Sequence, residues 1–398
     1  MHNQSIMKNS IKISVVIPSF YPAVVYGGWV FSSLNTCKEL AALGTECYVS
    51  TTNDNGKQEI EPIEKSFKKI FENIFVKYYK QNFKERFSFS MLFGLYHDIK
   101  GCDLVHVQGI FSASTPLGLF FANLLGKKTI LSPHGCLGEW CLSDGNSRVK
   151  KPYLFLFIQP YANKIVWHVT SDQEQDEVLA LYPKAKVTII PNGIYAEEFA
   201  NPQLLERSQF IKKFTGIDSS TAKVIISMAR LHKKKGLDIL IDAFSISLQT
   251  HPNTLLLIAG EDFGEAKTLK QQIINLKLEH KVFLVGQIEG QERVDFFANA
   301  DLFALSSHNE NFGLVYAEAM AAGTPILAST NTPWKEVADL GIGHWVANTP
   351  IDTAKGLNEM LDKDLVAFGQ MSKEFVAKKY TWKSIGIRFN HLFEQMLG

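Results

Sequence analysis

Apolar residues in this chain fall into short, dense runs separated by longer stretches in which they recur every third or fourth position. The short runs are rich in Val, Ile and Leu and are bounded by Gly or Pro, the pattern of buried strands. In the first half they are Lys12–Pro18, Glu46–Thr51, Asp103–Gln108, Thr129–Ser132, Ile165–Thr170 and Val187–Ile190. The second half repeats the theme with Val224–Met228, Thr254–Ala259, Val282–Val285, Leu302–Ser306 and Pro325–Ala328. Strands alternating with helical patterns predict an α/β chain with parallel sheets. At 398 residues the chain is too long for one ordinary compact domain and fits two of about 200. Pro191-Asn192-Gly193 is a turn signal, and the polar stretch from Tyr195 to Ala222 lacks a strand pattern. The expected division is therefore 1–205 and 206–379, followed by a tail, 380–398, that opens on a helix cap near Thr381 and continues amphipathically.

One segment departs from the alternation. From Lys65 to Arg86, seven basic residues stand against Glu72 and Glu85, interleaved with Phe67, Ile70, Phe71, Ile74, Phe75, Tyr78, Tyr79 and Phe83 at near-helical spacing. This predicts an amphipathic helix. Two readings of it stay open: a solvated basic face packed on the domain, or a basic aromatic helix lying on an anionic lipid surface.

Composition narrows the classes. Hydrophobic residues at 46% and charged residues at 20% supply a core for a globular protein, and a net charge of +1 gives no case for nucleic-acid binding. The five cysteines (Cys37, Cys47, Cys102, Cys136, Cys141) are odd in number and form no CxxC pair, so they read as reduced thiols of a cytoplasmic protein. Met1 to Ser10 is polar, and the apolar run Ile13 to Ile17 is too short for a signal-peptide core. No segment approaches the ~18 to 20 apolar residues that span a bilayer.

The chemistry concentrates at strand ends. Glu310 and Glu318, with seven residues between them, lie between two strands. Glu310 falls in a loop just before a helix, and Glu318 about two turns along it, so both carboxylates can face one crevice. Upstream, Val224–Met228 leads into Ala229-Arg230-Leu231-His232-Lys233-Lys234-Lys235-Gly236. Arg230 and Lys235 there suit a diphosphate, Arg as a bidentate fork and Lys as a point charge. After the first strand, Gly27 and Gly28 open a helix, where backbone N–H groups and the dipole favour an anion. No GxGxxG follows that strand, so a dinucleotide oxidoreductase is unsupported. His134, in Ser132-Pro133-His134-Gly135, closes another strand. Cys136 and Cys141 flank it without a usual zinc spacing. Asp362-Lys363-Asp364 reads as a solvated turn rather than a metal site.

The E-x7-E run with its Gly-Thr-Pro exit, the R-x4-KG spacing, the Gly-Gly loop and the Ser-Pro-His-Gly loop resemble family 4 of the retaining, nucleotide-sugar-dependent glycosyltransferases. The resemblance covers nearly the whole chain and is loosest between about Asn53 and Gly101. It implies a GT-B fold: two Rossmann-like, doubly wound domains facing across a cleft, with the last helix crossing back onto the first. It implies that Glu310 bonds donor-sugar hydroxyls, with Asn311, Phe312, Gly313 and Leu314 offering backbone N–H groups. It further implies that Glu318 binds the nucleotide ribose, that Gly27, Gly28, Arg230 and Lys235 hold the diphosphate, and that His134 meets the sugar. The implied reaction needs no cofactor and no metal. The partners it implies are a UDP- or GDP-sugar and a glycan or lipid-linked acceptor, as in bacterial surface polysaccharide assembly; such an acceptor would favour, of the two readings of residues 65–86, contact with the inner membrane face. Phosphorylases and epimerases share the fold. A catalytically silent nucleotide-sugar-binding subunit and an enzyme with a small-molecule acceptor are the alternatives.

Overall fold

The computed structural model describes residues 10–83, 87–143 and 147–398. The chain forms two compact units, one comprising 1–193 with 382–398 and the other 194–381. The junctions thus fall at Gly193/Ile194 and Thr381/Trp382, earlier than the expected 205/206 and slightly later than 379/380. The polar stretch after Gly193 is not a linker. Phe199, Phe210 and Ile211 within it are buried in the second core.

The first unit is an eight-stranded sheet. Its strands are β1 (Lys12–Val16), β2 (Glu46–Thr52), β3 (Ile63–Phe71), β4 (Ile74–Tyr79), β5 (Leu104–Gln108), β6 (Lys128–Ser132), β7 (Val166–Val169) and β8 (Lys186–Ile189). They lie in the order β3-β4-β2-β1-β5-β6-β7-β8, all parallel except β3. The order reverses between β1 and β5, which leaves a crevice at the carboxyl ends of those two strands. Helix α1 (Gly28–Ala42) follows β1, α2 (Phe89–Lys100) precedes β5, and α3 (Ser114–Leu124) follows it. The C-terminal helix Trp382–Leu397 belongs to this unit and packs on α1. A Cβ on Gly386 would stand 2.4 Å from the Cβ of Glu39, so only glycine permits that approach.

Three buried polar side chains link β5, β6 and β7 beneath this helix. Ser132 Oγ lies 2.7 Å from His106 Nε2 and 2.6 Å from His168 Nδ1, and His168 Nε2 lies 2.8 Å from the carbonyl of Ile190. Burial pushes both imidazoles below their ordinary range, His168 to about 4, so both are neutral. His168 Nε2 donates to the carbonyl; its Nδ1 must then accept from Ser132, and Ser132 in turn accepts from His106 Nε2–H. Phe389 of the last helix covers the pair, 4.7 Å from the His168 ring and 6.0 Å from that of His106.

The second unit is a six-stranded parallel sheet of β9 (Lys223–Met228), β10 (Thr254–Ala259), β11 (Val282–Gly286), β12 (Leu302–Leu305), β13 (Ile326–Ser329) and β14 (His344–Val346). The order is β11-β10-β9-β12-β13-β14, with its reversal between β9 and β12.

In place of the helix expected over 65–86, the residues up to Tyr79 form a β-hairpin with Ile63 and Glu64. β3 and β4 pair antiparallel around Glu72-Asn73, with Asn73 at φ 54°, the left-handed conformation that Asn tolerates. Lys65, Lys68 and Lys69 fall on the sheet's edge strand, where charge discourages pairing with another chain. Lys77 is buried between neighbouring strands, and its ammonium donates to Asp98 Oδ1 at 2.9 Å. Asp98 Oδ2 accepts from Ser50 at 2.9 Å and from the Tyr79 hydroxyl. Lys84, Glu85 and Arg86 lie outside the described residues, as do 1–9. No described helix is long and apolar enough to cross a membrane.

Removing one partner of a buried ion pair leaves the other charge uncompensated, at a cost of about 3 kcal/mol. Lys77→Met is therefore expected to lower stability by that order in chemical denaturation. Lys68→Ala, on the exposed edge, should change it by less than about 0.5 kcal/mol.

Candidate active site

In the second unit the candidate residues gather at the sheet's reversal point. β9 ends at Met228 and its loop carries Arg230 and Lys235; β12 ends at Leu305 and its loop carries Ser307 and Glu310. The loops are pinned together by backbone. His308 N donates to Lys234 O at 2.8 Å, and Gly236 at φ 57° sits so close to Ser306 that a Cβ would fall 1.9 Å from its carbonyl oxygen. Glycine is required there both by conformation and by space.

This pinning brings Lys235 and Glu310 into contact. Lys235 Nζ donates to Glu310 Oε1 at 2.6 Å, and Ser307 Oγ donates to the same oxygen at 2.7 Å. Both side chains are largely buried, 16% and 10% exposed. Burial works against the Glu310 charge, but attraction to Lys235, its hydrogen bond and that of Ser307 outweigh it and hold the carboxyl below its ordinary range. Glu310 is thus an ionised acceptor. The ammonium has three donors, of which Glu310 takes one. Arg230 is exposed, with its guanidinium 5.1 Å over the Phe263 ring.

Gly313, at φ 74°, starts the helix Leu314–Ala321, which has no side-chain N-cap. Asn311 and Phe312 lie in the loop before it; Phe312 is buried, and its carbonyl accepts from Trp334 Nε1 at 2.7 Å. Glu318, on this helix, is not drawn to Lys235 or Arg230. It accepts from Arg293 Nη1 at 2.8 Å, and Arg293 also approaches Glu198 at 3.6 Å and stacks over Phe199. Burial raises the Glu318 carboxyl; Arg293 offsets that only in part, and Glu198 adds to the rise. The two carboxylates therefore sit in opposite environments, one held charged and the other pushed toward its neutral form.

The first unit gathers a separate group at its own reversal point. Gly27, at φ 79°, is the N-cap of α1, Gly28 is its first residue, and no side chain caps this helix end. Trp29 on α1 meets the His134 ring at 5.8 Å, edge to face. His134 Nε2 lies 3.2 Å from Gln108 Oε1 at the end of β5, and Ser33 of α1 donates to the same oxygen. The Gly-Gly loop and His134, far apart in sequence, are thus neighbours. Burial, helped by His168, lowers His134 to about 3, so it is a neutral imidazole and donates to Gln108. Its backbone is left-handed, φ 54°.

That strained turn is held from below by Glu174. Its Oε1 accepts from Gly135 N at 2.6 Å, and its Oε2 accepts from Thr170 N at 2.8 Å and Thr170 Oγ1 at 3.1 Å. Sequence reasoning missed Glu174. Ser171-x-x-Glu174 looks like a local capping box, and Ser171 Oγ does cap Glu174 N at 3.2 Å. The glutamate itself reaches outward to the His134 loop. Trp29, Gln108, Arg293 and Ser307 were missed too, because each acquires its role from a partner distant in sequence or from a contact with no spacing signature.

Elsewhere, Asp364 accepts from Ala367 N as the N-cap of the helix Leu365–Lys379, and Asp362 ends the preceding helix. Cys136 and Cys141 are free thiols, and among the described residues no group of three or more metal-binding side chains occurs.

Known proteins share this architecture. HepE of Anabaena, solved in complex with UDP, superposes with a TM-score of 0.74 at 19% identity, covering 97% of this chain and all of that one, and so has the same GT-B fold. Residues 26–198 match the family model "Glycosyltransferase Family 4", and 208–382 match "Glycosyl transferases group 1". The chain belongs to glycosyltransferase family 4. Mannosylfructose-phosphate synthase of Agrobacterium fabrum is 38% identical over 150 residues, 36% of this chain and 32% of that protein. Alpha-monoglucosyldiacylglycerol synthase of Streptococcus pneumoniae is 25% identical over 232 residues, 58% of this chain and 52% of that protein. The chain spans about a third to a half of the length of these curated relatives.

Two expectations test these assignments. Gly236→Ala forces the two loops apart, and nucleotide should then stabilise the variant far less than wild type in a thermal-shift titration. Burial raises Glu174 to about 7 from an ordinary 4.5, so the folded chain holds this proton more tightly than the unfolded chain. Its contribution to stability is complete below the ordinary value and is lost as pH rises through about 7. The melting temperature should accordingly fall between these pH values, and Glu174→Gln should flatten that slope.

Proposed function

We propose that this chain is a retaining glycosyltransferase that moves a hexosyl group from a UDP- or GDP-sugar to a glycan or lipid-linked acceptor. The observation that carries the reading is the buried Lys235–Glu310 pair at the sheet reversal, with Arg230 on the same loop. A carboxylate kept ionised offers only acceptor sites, which suits it to sugar hydroxyls. Lys235 can hold Glu310 and still point donors at a phosphate, and Arg230 adds a second fixed cation. As the bond from the anomeric carbon to the β-phosphate oxygen breaks, charge builds on the departing diphosphate. Cations already in place favour that state more than the ground state.

The new bond forms from the acceptor hydroxyl to the same carbon on the face the phosphate leaves, and the phosphate oxygen takes the hydroxyl proton. His134, neutral, orients the sugar rather than supplying charge. Gly27 and Gly28 meet a phosphate at the open end of α1, Glu318 binds the ribose, and the N–H groups from Asn311 to Leu314 complete the donor grip. With two cations on the diphosphate no metal is required, and activity should survive chelation. The UDP bound by HepE supports a uridine nucleotide. The diacylglycerol named for the Streptococcus relative supports a lipid-linked acceptor. A step in bacterial surface polysaccharide assembly at the inner membrane face fits both.

Release of UDP or GDP from a donor sugar, slow without acceptor, is the direct test; a silent binding subunit would bind nucleotide and release none. Arg230→Ala and Lys235→Ala should each lower turnover by roughly 10²-fold or more, as loss of a partner to transition-state charge does. Near-wild-type turnover in either variant would remove the diphosphate assignment.

A further inference from the structure

The helices on one face of the first sheet have an outer surface that does not fit a solvated wall. Met91, Leu95 and Ile99 of α2, Leu119 and Ala122 of α3, and Leu154 and Ile158 of the π-helix Leu154–Ile158 share one core with Val105, Val107 and Leu131 of the sheet. The three elements therefore cover the same side. Their opposite faces expose large apolar groups. Phe89 and Phe93 stand one turn apart on α2, and Phe93 is 75% exposed. Phe120 and Leu124 repeat the spacing on α3. In the π-helix only the two ends turn inward, which leaves Phe155, Leu156 and Phe157 exposed in a row, Phe155 at 72%.

Patches of this kind on adjoining elements mark a contact surface. Its charge says what kind. From Leu104 to Ser171 the sequence holds six basic residues against two acidic ones, in a chain whose net charge is only +1. The cations bracket the apolar stretches along the chain: Lys128 just past α3, Arg148 and Lys151 just before the π-helix, and Lys164 just after it; Lys127 instead donates to the carbonyls of Lys100 and Cys102. Phenylalanine and leucine flanked by lysine, with Asp98 of α2 buried against Lys77 rather than facing outward, match the acyl-headgroup boundary of an anionic bilayer, where apolar groups sink and ammonium groups reach lipid phosphate.

We propose that this face of the first unit, formed by α2, α3 and the stretch 147–158, docks on an anionic lipid surface. The hairpin β3–β4 takes no part in it. The attachment is in-plane, as no described helix can span a bilayer, and it stands independently of the donor-site reading.

Cosedimentation of the full chain with phosphatidylcholine vesicles, with and without phosphatidylglycerol, tests it. Wild type should pellet with the anionic vesicles and be released by salt. The variant Phe93→Ser/Phe155→Ser/Phe157→Ser should lose roughly tenfold or more in bound fraction, since each exposed ring contributes to burial. Its melting temperature and donor hydrolysis in solution should stay as in wild type. Lys151→Glu/Lys164→Glu should weaken binding to the anionic vesicles, and Lys68→Glu/Lys69→Glu on the hairpin should not. Equal retention on neutral vesicles, undiminished binding by the triple variant, or loss of binding in the hairpin variant would each overturn the proposal.

Discussion

The second unit is organised around the approach of two strand-end loops to within a glycine's width. Gly236 lies against the Ser306 carbonyl with no room for a side chain, and that contact sets Lys235 Nζ 2.6 Å from Glu310. An ion pair this buried contributes little net stability, because desolvation offsets most of its attraction. Its value is positional. Each charge fixes the other's place and protonation state, so the loops present an ionised carboxylate and a cation with spare donors before any ligand arrives. The adjacent Glu318 shows what happens without such a partner arrangement: Arg293 is there, yet burial still wins and its carboxyl is pushed upward.

Much of this was legible in the chain. The inner strands of both sheets are short apolar runs because both of their faces are covered, and burial of that kind marks the sequence. Arg230, Lys235 and Glu310 stand out because strand ends at a sheet reversal are where loops are free to carry chemistry, and Glu318 because it falls about two turns along the helix that follows Glu310. The hairpin mimics a helical pattern for a definable reason. The β3–β4 register shifts between Ile63 and Lys68 and again between Lys69 and Phe71, so the period-two alternation breaks and the aromatics fall at helix-like intervals. The core membership of Phe199, Phe210 and Ile211 is hidden in the sequence because they are sparse in a polar stretch and declare themselves only through the core they join.

Glu174 escaped for the opposite reason. It stands in a local Ser-x-x-Glu signature that accounts for its position and gives no sign of the longer reach to Gly135. Arg293 and Trp29 carry no motif at all, and Gln108 lies in a stretch that shares the family resemblance without marking its contact, since their partners Glu318 and His134 lie elsewhere in the chain. Pairs of this sort depend on topology, and spacing along the sequence is blind to them.

The buried row from His106 through Ser132 to His168 ends on the carbonyl of Ile190, a main-chain atom. That terminus dictates the orientation of every proton behind it: one tautomer for each imidazole, one rotor for the hydroxyl. Because both rings are neutral, the seam on which the C-terminal helix rests through Phe389 carries no net charge to be gained or lost near neutral pH. The helix that returns the chain to its first unit is therefore seated on a polar but electrically silent surface, whose sense of direction is written into backbone that no side-chain substitution at Ile190 can erase.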